Sequence, residues 1–263
     1  MPADLTLSYG PDPEQLVDVR LPAADGPRPI VVVVHGGFWK AEWDRAHAAD
    51  QSDALGQAGY LVATVEYRRV GQPGAGWTGT FDDIALVMDA LPELLGDSPE
   101  VAAHADPYRC LLVGHSAGGH LALWSAARHV LPEQSRWHRP IALPVCGVVA
   151  LAGVSDLALA DRLHLGSDAT RALLGGSPVQ RPERYAQADP AVLLPTGVPV
   201  HLVHGTEDED VPIEVSRSFR ARAVAAGDPC ELRELPGVGH MDLVEPTTAA
   251  WPGVLAAIED LVR

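Results

Sequence analysis

Lysine is almost absent from this 263-residue chain: Lys40 is the only one, and 19 Lys plus Arg face 35 Asp plus Glu, a formal charge of −16 with histidine neutral. That balance argues against nucleic acid and anionic membrane surfaces as partners, because both are bound through clustered Lys and Arg. It also excludes a phosphate-binding P-loop, which needs a lysine after its glycines. Cysteine is scarce too. Cys110, Cys146 and Cys230 are an odd number and read as buried free thiols rather than a disulfide scaffold. The longest apolar stretch, Ile141 to Val154, is broken by Pro144 and too short to cross a bilayer. Metal-ligand spacing is missing: there is no H-E-x-x-H, and His201 and His204 would point to opposite faces of a strand. The start, Met1-Pro2-Ala3-Asp4, has neither the basic residues nor the apolar core of a secretory signal, so the expected location is the cytoplasm.

What is present is a regular alternation. Five short apolar runs, Ile30 to Val34, Tyr60 to Tyr67, Arg109 to Val113, Val145 to Ala152 and Val200 to Val203, have the character of strands buried on both faces. Between them Asp44 to Ala58, Thr80 to Leu95, Ala117 to His129 and Ile213 to Ala226 are long enough for crossover helices. The order predicts a mostly parallel, doubly wound α/β sheet in a single domain spanning residues 1–263. Leu5 to Tyr9 and Leu16 to Leu21 should add an antiparallel edge hairpin, and Ala249 to Val262 a closing helix. From Asp156 to Pro195 the chain is polar, carries no strand pattern and is too long for a plain connection. This stretch is expected to form a small lid over the carboxyl ends of the strands, where ligands bind in open α/β sheets.

The most informative stretch is Val113-Gly114-His115-Ser116-Ala117-Gly118-Gly119, which follows Cys110-Leu111-Leu112. It spells a strand, a G-x-S-x-G turn and a helix start. Glycines on either side let the backbone turn tightly enough to present a serine in strained geometry at a strand tip, which makes Ser116 a candidate nucleophile. A serine hydroxyl is a poor nucleophile at neutral pH, so it needs an imidazole to take its proton and a carboxylate to orient that imidazole. Of the 11 histidines, His240 fits the base: it closes the glycine-rich loop Pro236-Gly237-Val238-Gly239 after the strand-like Cys230 to Leu235. His204, at a strand end, is better suited to hydrogen-bond beneath the following loop. Asp208, in His204-Gly205-Thr206-Glu207-Asp208-Glu209-Asp210-Val211-Pro212, is the carboxylate best placed to reach His240. Glu207, Glu209 and Asp210 share its acidic loop, and Asp156 is the runner-up, more suited to capping a helix.

Acyl transfer places negative charge on the former carbonyl oxygen, and backbone N–H groups preset around that oxygen supply much of the rate. His35-Gly36-Gly37-Phe38-Trp39, after the first central strand, fits this task. Gly37 and Phe38 would donate from one side and Ala117 from the other, with Trp39 and His115 lining a substrate pocket. A competing G-x-G-x-x-G at Gly74 to Gly79 is separated from its strand by Pro73 and an irregular stretch, and no ribose-binding acid follows the next strand, so no dinucleotide is expected.

At these residues the chain resembles the α/β-hydrolase superfamily over nearly its whole length. HGGFW, GHSAGG, GTEDEDVP and PGVGH are similar to the esterase/lipase branch that holds kynurenine formamidases (arylformamidases). The resemblance implies Ser116, Asp208 and His240 as the catalytic triad and Gly37, Phe38 and Ala117 as oxyanion donors. It also implies a hydrolase of small esters or N-acyl, including formyl, aromatic amides, with no cofactor and no metal. The expected partner is a small-molecule ester or amide, without nucleic acid or membrane, and assembly as a homodimer is left open. Two rival readings keep the same residues: a tailoring hydrolase or cyclase of small-molecule biosynthesis, and a non-catalytic ligand receptor on a hydrolase scaffold.

Overall fold

The computed structural model describes residues Pro2–Arg263. In chain order the strands are β1 (Leu5–Ser8), β2 (Leu16–Arg20), β3 (Arg28–Val34), β4 (Leu61–Val65), β5 (Ala105–His115), β6 (Gly147–Leu151), β7 (Val200–Gly205) and β8 (Cys230–Leu235). The helices are α1 (Ala49–Gln57), α2 (Gly79–Gly96), α3 (Pro99–Ala102), α4 (Ala117–Ala126), α5 (Leu157–Arg162), α6 (Leu165–Leu174), α7 (Pro182–Ala188), α8 (Glu214–Ala226) and α9 (Trp251–Val262). All eight strands join one sheet in the order β1-β2-β4-β3-β5-β6-β7-β8. β1 and β2, and β2 and β4, are antiparallel; every other pair is parallel. The α/β-hydrolase fold expected from the sequence is thus present, with the edge hairpin where its turn residues put it.

The period-two pattern of β3 explains how one run of valines serves two cores. Ile30, Val32 and Val34 point into the cluster that also holds Leu112, Leu121, Trp124 and Phe219. Val31 and Val33 point into the opposite cluster, with Val113, Leu151, Leu55 and Ile258. β5 begins at Ala105 rather than Arg109. The ladder with β3 jumps from Pro29 opposite Asp106 to Ile30 opposite Cys110, so Pro107, Tyr108 and Arg109 form an irregularity that pattern reading takes for a loop. β4 ends at Val65, short of Tyr67, because Glu66 and Tyr67 leave the ladder to support the site described below. Among the cysteines only Cys230 is buried; Cys110 and Cys146 are half-buried, and all three are free. No helix among the described residues is long and apolar enough to cross a membrane.

The stretch expected as a polar lid carries helices α5 to α7 and is less polar in effect than in composition. Leu157, Ala160, Leu165, Ala169, Leu173, Leu174, Tyr185 and Ala188 are buried, while Arg171 pairs with Asp161 at 2.7 Å. Its contacts tie it to the sheet's helices: His120 Nε2 donates to the Ala188 carbonyl (2.9 Å), Trp124 Nε1 to that of Gln187 (2.8 Å), and the Trp77 amide to that of Leu173 (2.8 Å). Gly166 lies so close to the Phe38 ring that a Cβ there would fall 2.6 Å from it. The insertion therefore touches the loop after β3.

Asp189 anchors the end of this insertion. It is buried and accepts from the Ala158 and Ala191 amides, both at 3.1 Å. Burial, and then the charge of Asp156, push its carboxyl up to about 6 despite those amides. A carboxyl raised in the folded state holds its proton more tightly there than in the unfolded chain. Stability from this group is therefore greatest at low pH and falls, by about 2–3 kcal/mol in all, as pH rises from about 4 through about 6. Asp189→Asn, which has no proton to lose, should gain thermal midpoint relative to the parent between pH 4.5 and pH 7; a constant difference across that range would contradict the raised carboxyl.

Candidate active site

β5 ends in the serine turn. Ser116 has φ +54° and ψ −118°, a conformation that costs a non-glycine residue about 1–2 kcal/mol and places its side chain at the strand tip. The turn is held by the Ser116 amide on the Leu151 carbonyl (2.8 Å) and the Val154 amide on the Ser116 carbonyl (3.1 Å). The flanking glycines are required by contact: a Cβ on Gly114 would lie 2.2 Å from the Gly118 carbonyl oxygen, and one on Gly118 would lie 2.0 Å from that of Val34. Helix α4 thus starts directly against β3. Ala117 is its first residue, so its amide has no acceptor within the helix and is free to meet a ligand.

The candidate acid, Asp208, and candidate base, His240, sit on loops after β7 and β8. His240 Nδ1 donates to Asp208 Oδ2 at 2.7 Å, and the Asp208 side chain has no exposed surface. Of the four acids in its loop, Glu207, Glu209 and Asp210 are exposed, and Asp208 is the one whose side chain is buried against His240. Burial alone would raise the Asp208 carboxyl, but hydrogen bonds from His204 and His240, the His240 charge and the Val211 amide hold it well below the usual range. It is therefore ionised at neutral pH. The runner-up, Asp156, caps α5 by accepting from the Leu159 amide at 2.8 Å and takes a second bond from Ser218. His204 lies beneath the loop: Nε2 donates to the Val211 carbonyl (2.8 Å) and approaches Asp208 Oδ2 (3.2 Å), while Nδ1 faces the Ser216 hydroxyl at 2.7 Å.

Ser116 and His240 are brought to the same end of the sheet without a hydrogen bond between them among the described residues. The ring of His115, the neighbour of Ser116, lies 4.4 Å from that of His240, and with Nδ1 committed to Asp208 the nitrogen left for the serine is Nε2. Catalytic hydrogen bonds are often long without substrate and tighten in the complex.

The loop after β3 carries three successive positive φ angles, Gly37 at +101°, Phe38 at +49° and Trp39 at +57°. Its support was not legible in the sequence. His35 is fully buried with both ring nitrogens facing acceptors, Nδ1 on the Gly36 carbonyl and Nε2 on Glu66 Oε1, each at 2.9 Å. Tyr67 stacks on the His35 ring at 4.5 Å and donates its hydroxyl to the His35 carbonyl. Burial would raise the Glu66 carboxyl, but the bond and charge of His35, with the Arg45 amide and Arg69, hold it below its ordinary value. Val34 is opposite Val65 in the parallel ladder, so His35 and Glu66 are the next residues on adjacent strands. The available signal was a glutamate ending an apolar run, which becomes a partner only once strand order is known.

Two pocket expectations need correction. Trp39 has no exposed surface: its ring turns inward, edge-on to His120 at 5.2 Å, because the positive φ at Trp39 swings the side chain into the core. His115 is only 3% exposed and packs against the His240 loop instead of lining a cleft. Trp43, next to this loop, does present surface: it is 47% exposed, and its Cβ sits where a Gly37 side chain would be, at 2.3 Å.

Comparison with known proteins places this architecture. The BD-FAE family profile matches residues 17–222. The isoprenylcysteine alpha-carbonyl methylesterase ICME of Arabidopsis thaliana is 29% identical over 258 residues, covering 90% of this chain and 56% of that protein. Esterase LipC of Mycobacterium tuberculosis is 28% identical over 251 residues, covering 90% and 59%. The chain spans little more than half the length of these relatives. Among solved structures, esterase B from Lactobacillus rhamnosis superposes with a TM-score of 0.80 at 20% identity, over 98% of this chain and 85% of that one. Esterase 2 of Thermogutta terrifontis, phosphoramylated by tabun, gives 0.75 at 20% identity, over 99% and 94%. Matched by the family profile over most of its length and folded as these esterases are, the chain belongs to the BD-FAE family of the α/β-hydrolase superfamily.

Proposed function

We propose that this protein is a serine hydrolase of small carboxylic esters that works through an acyl-enzyme. The observation that carries the reading is Ser116 at φ +54° on the tip of β5, at the same sheet end as a buried Asp208–His240 pair bonded at 2.7 Å. Ser116 Oγ attacks the ester carbonyl carbon while His240 Nε2 takes its proton. Asp208 holds the ring with Nδ1 protonated and offsets the imidazolium charge. The oxyanion receives the N–H groups of Ala117, Phe38 and Gly37. His240 then returns the proton to the leaving oxygen, and water follows the same route to release the acid. The relatives named above are esterases by name, which supports esters ahead of formamides as substrates.

A fluorophosphonate probe should label the protein on the peptide that contains Ser116, and a panel of p-nitrophenyl esters should be turned over faster than formanilides. Absence of labelling would favour the ligand-receptor reading. Faster formanilide cleavage would move the substrate class to N-formyl aromatic amides.

A further inference from the structure

The residue before the nucleophile has a task of its own. His115, the last residue of β5, meets two of the loops that build the site, the one after β3 at Gly36 and the one after β8 at His240. Its Nε2 lies 3.1 Å from the main-chain carbonyl oxygen of His240, and a carbonyl only accepts, so this nitrogen carries the proton. Nδ1 is therefore the bare nitrogen; it is buried without a partner, against Gly36 of the loop after β3, where a Cβ would fall 3.0 Å away. The His115 ring tilts against the His240 ring at 4.4 Å on one side and lies 6.1 Å from the His47 ring on the other.

Building on the serine-hydrolase reading, we infer that His115 is a positioning residue, which fixes the catalytic imidazole by tethering the main chain of His240 through Nε2–H. Asp208 fixes the rotation of the His240 ring through Nδ1. That bond alone leaves the Cα–Cβ direction of His240 to its loop, which contains Gly237 and Gly239. A donor on the His240 carbonyl holds the peptide plane from which that direction springs. Misplacement of a reacting group by about 1 Å costs on the order of 10²-fold in rate, so a tether of this kind acts on kcat. A neutral ring is needed for the task, since His240 turns cationic during the reaction. Burial, then the neighbouring His240 and His47, keep the His115 ring well below its ordinary value, against the bond to His240 and the charge of Asp208.

Two variants separate tethering from space filling. His115→Phe keeps a ring and loses the donor; His115→Gln places an amide N–H close to where Nε2 stood. With p-nitrophenyl acetate, kcat of the Phe variant should fall about tenfold or more with KM changed by less than about threefold, and the Gln variant should recover most of the loss. Hydrogen exchange over residues 236–243 should quicken in the Phe variant and return toward the parent in the Gln variant, a readout that does not depend on turnover. Parent-like exchange in the Phe variant, or equal loss of kcat in both variants at parent-like thermal midpoints, would overturn the assignment. A parent protein that hydrolyses no ester would instead sink the functional reading, leaving the exchange comparison to judge the tether.

Discussion

Ser116→Ala should lower kcat for p-nitrophenyl acetate by about 10⁴- to 10⁶-fold and leave the thermal midpoint close to the parent's. Both residues carry a Cβ, so the backbone strain at φ +54° is the same in the two proteins and only the hydroxyl is lost. Asp208→Asn should cost about 10⁴-fold in kcat, because an amide no longer balances the imidazolium and its NH₂ group can turn His240 to the wrong tautomer. This second variant should also be less stable. Asp208 Oδ2 faces His240 Nδ1 at 2.7 Å and His204 Nε2 at 3.2 Å, and its Oδ1 accepts from the Val211 amide at 2.8 Å, so a buried acceptor set is disturbed at a cost of about 1–3 kcal/mol. Combining the two substitutions should slow the reaction little beyond Ser116→Ala alone, since members of one proton relay do not act additively. An Asp208→Asn enzyme with parental kcat would remove this carboxylate from the mechanism.

Gly118→Ala should prevent the protein from accumulating in folded form, or destabilise it by at least about 3 kcal/mol. Glycine to alanine inside a helix is ordinarily favourable by about 1 kcal/mol, and Gly118 lies in α4. Here the sign reverses. The new methyl would sit 2.0 Å from the Val34 carbonyl oxygen and 2.5 Å from that of His35, both main-chain atoms with no rotamer to yield. Relief would require α4 to move off β3, which carries Ser116 and the Ala117 amide away from the loop at Gly37 and Phe38. The matched control is Gly227→Ala at the end of α8, where φ is +91° and nothing lies within 4 Å of the added carbon. That variant should lose only about 1–2 kcal/mol from backbone strain and keep its activity. Equal unfolding midpoints for the two variants in a denaturant titration would show that contact is not what requires glycine at 118.

The sequence by itself determined the alternation of strands and helices, since runs such as Ile30 to Val34 can be buried only on both faces of a covered sheet, and it singled out the candidate reacting groups. Ser116 between glycines, His240 after a glycine-rich loop and Asp208 before Val211-Pro212 are local patterns, and local patterns are what a sequence displays. It also placed His204 beneath its loop and Asp156 at a helix start, for the same reason. The tertiary structure decided everything that depends on strand order. β4 and β3 are neighbours although a helix separates them in the chain, and only that pairing brings Glu66 beside His35 and Tyr67 onto the His35 ring. The inward turn of Trp39, the exposure of Trp43 over Gly37 and the reach of His115 to the His240 carbonyl are decided in the same way. Each depends on which loops meet at the carboxyl edge of the sheet, and contacts between residues as far apart as 115 and 240 leave no periodic or compositional trace in the chain.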